Sequence, residues 1–214
     1  MSIGPWLAIP AAVIGFALGW LSAWLTEWVT PREEAPTIRW RSVFVRDPLV
    51  QALLTVVWAA IPLVIPGDVI HWLEAGLLSV PLVQVAVTDL RTRYVYTAIA
   101  GIGLVLGVAV GWHYHQVPWF WTLIGAAGGA IVFIGLYWLG RLVFRQEAMA
   151  RGDITIATMV GAGAASLAAY ALFYGIVASG VLAVVYWAVS RSRHSYMPYG
   201  PGLCVGGLIT LFMR

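Results

Sequence analysis

Asp89 and Asp153 are the two acidic residues of this chain whose surroundings suit chemistry. Asp89 closes the apolar run Gln84-Val85-Ala86-Val87-Thr88, and Asp153 follows Arg151-Gly152 at the head of another apolar run. An ionisable group at the end of a membrane span is costly to bury, which makes it a functional candidate by default. Two carboxylates at one depth on neighbouring helices can share a proton, so that one polarises an amide carbonyl while the other activates water. That is the chemistry of aspartic proteolysis. The residues alone leave a second reading open, in which Asp153 is a helix cap and Asp89 pairs with Arg91 or Arg93.

The other seven of the nine acidic residues read differently. Glu33, Glu34 and Asp47 lie among the arginines of the first hydrophilic segment, Asp68 lies in a turn, and Glu147 lies in a basic stretch. All five read as solvated. Glu27 and Glu74 stand near span ends, where snorkelling or a local ion pair accounts for them.

The elements that must carry the two aspartates are membrane spans. With 61% hydrophobic and 10% charged residues, the 214-residue chain does not suit a soluble surface. About 20 apolar residues cross a bilayer as a helix. Breaking the chain at charges, prolines and glycines gives eight apolar segments, at 5–29, 48–65, 72–88, 94–112, 119–140, 153–166, 167–189 and 199–212. The expected fold is all-α, a polytopic transmembrane bundle of about eight spans.

Arginine placement orients it. All twelve basic residues are Arg, and cytoplasmic loops carry an excess of them. With the N-terminus outside, Arg32, Arg39, Arg41 and Arg46, then Arg91 and Arg93, then Arg141, Arg145 and Arg151, then Arg191 and Arg193 all fall on the cytoplasmic side, and Arg214 alone falls outside the pattern. Merging segments six and seven would move Arg191 and Arg193 to the other face, so two separate spans are expected. Both aspartates then lie at the cytoplasmic membrane face.

The remaining features read as architecture. Trp28, Trp72, Trp112, Trp119 and Trp187 sit near span ends as interface anchors, and Gly125, Gly128, Gly129, Gly161 and Gly163 read as packing positions. The segment 31–48 reads as a short cytoplasmic loop with an amphipathic piece at Ile38, Trp40, Val43 and Phe44. No basic residue precedes the first apolar run, so a cleaved signal peptide is not expected. Cys204 is the sole cysteine, which excludes an intrachain disulfide and a cysteine-ligated zinc, and it reads as a small core residue. The net charge of +3 encodes orientation rather than a nucleic-acid partner.

Four segments resemble, in order, those of the type IV prepilin peptidases. Thr88-Asp89-Leu90-Arg91-Thr92-Arg93 is similar to the family's segment in which the first catalytic Asp ends a helix before a basic turn. Ala150-Arg151-Gly152-Asp153-Ile154-Thr155 resembles its Gly-x-Gly-Asp signature, followed by a Gly-rich helix as in Val160-Gly161-Ala162-Gly163. Met197-Pro198-Tyr199-Gly200-Pro201 looks like the element that opens its last helix, and Arg46-Asp47-Pro48-Leu49-Val50-Gln51 like the start of its second. There are departures. Ala150 replaces the first Gly of the signature, Tyr96 stands where a Pro is common, and Gln51 stands where an acid is common. The zinc-bound domain with Cys-x-x-Cys motifs that many relatives carry is absent, which counts against N-methyltransferase activity.

The resemblance implies a membrane aspartyl endopeptidase with Asp89 and Asp153 catalytic, and with Ala150 and Gly152 shaping the turn. It implies cleavage of the leader of prepilin or pseudopilin precursors, in the inner membrane, with no cofactor and no metal. Residues 1–214 then read as one transmembrane peptidase domain whose partners are the precursor and lipid. Helix direction suggests Asp153 as the base activating water and Asp89 as the acid facing the scissile carbonyl. The competing reading is a non-enzymatic polytopic protein, such as a small transporter or a pilus-assembly scaffold.

Overall fold

Helix starts here are set by short capping side chains and by proline. Asp47 accepts from the backbone N–H groups of Leu49 (3.0 Å) and Val50 (3.2 Å) with Pro48 next to it, and Asp68 accepts from that of His71 (3.1 Å). In the computed structural model, which describes residues 5–33, 46–65, 68–144, 150–190 and 199–213, these caps open the second and third of eight α-helices. The helices are α1 (Ala8–Glu33, after a 3-10 turn at Pro5–Leu7), α2 (Pro48–Val64), α3 (Val69–Thr92), α4 (Thr97–Tyr114), α5 (Phe120–Phe144), α6 (Arg151–Ala164), α7 (Ala168–Ser190) and α8 (Gly200–Phe212). The described residues contain no strand.

The helices follow the eight apolar segments, with one shift that matters. The third helix starts at Val69 and runs on to Thr92, so Asp89 lies inside its last turn rather than closing it. The amphipathic piece at Ile38, Trp40, Val43 and Phe44, the side chain of Trp187, and Arg39, Arg41, Arg145, Glu147, Arg191 and Arg193 lie outside the described residues.

Among the described residues, five stretches are long and apolar enough to cross a bilayer: Ala8–Trp28, Val69–Thr92, Thr97–Tyr114, Phe120–Val143 and Arg151–Tyr186. Large apolar side chains such as Val105, Ile131, Leu142 and Phe173 face outward along them, as lipid contact requires. The chain is a multi-pass membrane protein. The stretch from Arg151 to Tyr186 is not one rod: Ala165, at φ 49°, ends α6, and a 3-10 turn at Ala165–Leu167 leads into α7. Tyr186, near the far end of α7, accepts a 2.7 Å hydrogen bond from Arg93, which lies beside the start of α6. The chain therefore reverses at Ala165. Segments six and seven are two helices.

At the centre of the bundle α6 packs against α4, α5, α7 and α8. It comes close enough for backbones to touch because the facing positions are glycine: a Cβ on Gly129 would strike the Ala157 carbonyl, and one on Gly107 would sit 2.8 Å from the Gly163 nitrogen. Lipid gives no hydrophobic drive between helices, so this contact is what holds them. Gly128 does not take part; a Cβ there would meet nothing within 4 Å.

The two ends of the bundle differ in charge. At one end, Arg46 pairs with Glu27 (2.5 Å) and Arg91 with Asp47 (2.6 Å), joining the ends of α1, α2 and α3. Asp47 is thus a cap and an ion-pair partner at 15% side-chain exposure, not the solvated loop residue its sequence context suggests. At the other end, Glu74 pairs with His113 (2.5 Å), and Tyr114 donates to the Leu211 carbonyl. Asp68, beside His71, keeps its carboxyl below the usual carboxylate range through the His71 hydrogen bond.

Candidate active site

Asp89 and Asp153 line one cavity of about 320 Å³ at the arginine-rich end of the bundle. Each is almost fully buried, at 4% and 2% exposure. The last turn of α3 and the residues after it supply Asp89, Arg93, Tyr94, Val95 and Thr97, and the start of α6 supplies Ala150, Arg151, Gly152, Asp153 and Thr155. Helix ends reached from different parts of the chain thus bring the two carboxyl groups to one wall-lined space.

Local chemistry fixes each group. Asp153 is the third residue of α6, and its Oδ2 accepts from the Ala150 N–H at 3.1 Å while its own N–H donates to the Ala150 carbonyl at 3.1 Å. This is the carboxylate half of a capping box. Ala150, having no side-chain acceptor, cannot complete the other half. The capping reading of Asp153 is therefore correct as far as it goes, and the carboxyl still faces the cavity. Gly152 is required by space, since a Cβ there would lie 2.9 Å from Val95 Cγ2 and 3.0 Å from its Cβ. Val is stiff at χ1, so it cannot swing aside.

Asp89 is held differently. Arg93 takes a left-handed conformation at φ 56° and its N–H donates to the Asp89 carbonyl at 2.8 Å, ending α3. That turn sends Tyr94 and Val95 along the cavity wall. The ion-pair reading for Asp89 finds no support among the described residues: Arg91 pairs with Asp47, and Arg93 reaches Tyr186. Asp89 Oδ2 is buried against the start of α8, with no well-formed hydrogen bond among the described residues.

One neighbour of Asp89 was not legible in sequence. Gly200, the first residue of α8, lies so close that a Cβ on it would run into Asp89 Oδ2. The positive N-terminal end of α8 therefore faces Asp89. Helix direction within α3 suggested only a negative end at that residue, so the dipole argument no longer separates the two aspartates. The segment Met197-Pro198-Tyr199-Gly200-Pro201 pointed to a helix start, yet nothing in one sequence tells which carboxyl that start meets.

No group of three or more metal-ligating side chains occurs among the described residues. The cavity holds two carboxyl groups and the guanidinium-bearing Arg93 and Arg151, a donor set fit for proton transfer and amide polarisation.

A family model described as the type IV leader peptidase family matches residues 76–188, from α3 to α7 and so across both aspartates. An Escherichia coli O78:H11 protein described as a type 4 prepilin-like proteins leader peptide-processing enzyme is 27% identical over 174 residues, 79% of this chain and 62% of its own length. A prepilin leader peptidase/N-methyltransferase of Pectobacterium carotovorum is 27% identical over 177 residues, 81% of this chain and 63% of its own. One of that description from Pseudomonas putida is 29% identical over 136 residues, 63% and 47%. The chain spans less than two thirds of the length of these curated relatives. No solved structure matches.

Proposed function

Since the chain belongs to the type IV leader peptidase family, whose model covers more than half of it, we propose that it is an aspartyl endopeptidase that cuts leaders from prepilin-like precursors. The observation that carries this is the shared cavity of Asp89 and Asp153. Asp153, anchored by the Ala150 N–H, takes a proton from water, and the oxygen attacks the scissile carbonyl carbon. Asp89, whose carboxyl lines the same cavity, gives its proton to the carbonyl oxygen. In the collapse, the leaving nitrogen takes the proton held by Asp153 as the C–N bond breaks, and the hydroxyl returns its proton to Asp89. Titration belongs to the pair rather than to either group.

The aspartates lie at one end of the bundle, whereas ion-carrying groups of transporters lie near the midplane. The peptidase reading is favoured accordingly. Co-expression with a prepilin-like precursor tests it: the precursor shortens by its leader when the protein is present. A precursor that stays full length with the protein in the membrane sinks the reading.

The arginine-rich end faces the cytoplasm of the inner membrane by the positive-inside rule. The expected labelling pattern follows. A cysteine replacing Arg145 is shielded from an impermeant outside reagent in intact cells, and one replacing Asp68 is labelled, with no background from the buried Cys204. The reverse pattern overturns the orientation.

A further inference from the structure

Ser179 lies in the middle of α7, is 1% exposed, and lies outside the motifs above. A buried serine in a helix ordinarily donates to the carbonyl four residues back, and Ser179 reaches the Gly175 carbonyl at 2.8 Å. It also reaches a second acceptor, the Tyr199 carbonyl at 2.9 Å, across the seam between α7 and α8. The backbones come that close because Gly202 faces Ser179: a Cβ on Gly202 would sit 2.6 Å from the Ser179 Cα. Gly175 and Gly206 continue the seam, with the Gly206 Cβ position 2.7 Å from the Gly175 Cα.

Tyr199 directly precedes Gly200, the residue whose backbone covers Asp89. The Tyr199 carbonyl also accepts the first helical bond of α8, from the Leu203 N–H at 3.2 Å. One carbonyl thus ties the start of α8 both to its own helix and to Ser179.

We infer that Ser179 is a positioning residue, holding the Tyr199-Gly200 link of α8 against the Asp89 carboxyl so that the cavity side of Asp89 alone stays open. Ser179 touches neither substrate nor the reacting atoms; it acts through Tyr199 and Gly200. The kinetic consequence rests on the peptidase reading, while the cover over Asp89 does not.

Two measurements on the full-length protein test it. The first is carbodiimide modification, located by peptide mass mapping, with Glu74 at the opposite end of the bundle as internal reference. Ser179→Ala raises the Asp89-to-Glu74 modification ratio several-fold, because the cover loosens. The second is cleavage of a prepilin-like precursor, in which Ser179→Ala lowers kcat about tenfold at unchanged KM, as small misplacements of a catalytic group do. Ser179→Cys, similar in size but a weak donor, falls between, and it carries the test if the alanine variant does not accumulate. A wild-type modification ratio in these variants overturns the inference, whether or not kcat falls. If the wild-type protein cleaves no precursor, the peptidase reading fails and the modification ratio still decides.

Discussion

Asp89→Asn and Asp153→Asn each lower leader cleavage by about a hundredfold or more, while both proteins still accumulate in the membrane. One carboxyl group cannot supply the general base and the general acid in a single turnover, and each such function is worth roughly 10²- to 10⁴-fold. The substitution is nearly isosteric, so the loss is chemical. At position 153 the amide oxygen still accepts from the Ala150 N–H, which preserves the start of α6. At position 89 the backbone carbonyl keeps its bond from Arg93, which preserves the end of α3. Glu27→Gln and Glu74→Gln keep near-normal cleavage, because those side chains serve an ion pair with Arg46 and a hydrogen bond with His113, away from the cavity. Partly exposed pairs of that kind are worth about 1 kcal/mol or less. Immunoblots of precursor and mature product, with the peptidase quantified in the same membranes, read the result. Near-normal cleavage by either aspartate variant would falsify the two-carboxylate mechanism.

Local features of the chain were legible. Hydrophobic runs marked eight helices within a few residues, and the arginines that can be followed mark one end of the bundle. Arginine balance separates α6 from α7 in the sequence; the structure gives the cause in the positive-φ turn at Ala165 (φ 49°, ψ −114°), a residue type that carries no turn signal. Asp89 and Asp153 stood out because a carboxyl group beside apolar runs is rare. What stayed hidden was pairing between distant segments. Asp47 with Arg91 is one case, forty-four residues apart; Gly200 against Asp89 is another. Such contacts follow from which helices become neighbours, and hydropathy records that a face is apolar without recording what it meets. The glycines show the same limit. Gly125, Gly128 and Gly129 look alike in sequence, yet Gly125 and Gly129 press on α6 and Gly128 faces open space.

That difference sets the second large effect. Gly161→Val destabilises the protein and removes cleavage with it, whereas Gly128→Val leaves both unchanged. A Cβ at position 161 would run into the backbone carbonyl of Gly125, and a backbone atom in the second turn of α5 cannot turn away as a side chain can. The α5 and α6 axes must separate. Overpacking of a core costs typically about 1–3 kcal/mol, and the cost falls at the upper end or beyond when the struck atom is main chain. Because α6 also carries Asp153 at its first turn, the separation moves one carboxyl relative to the other, and misplacement by about 1 Å costs on the order of a hundredfold in rate. Gly128→Val adds a side chain where nothing lies within 4 Å, among residues that already face lipid, so only the small difference in helix propensity remains. Thermal unfolding of the detergent-solubilised variants reads the first effect and precursor cleavage the second. Equal behaviour of the two valine variants would mean that α5 and α6 do not cross at Gly125 and Gly161.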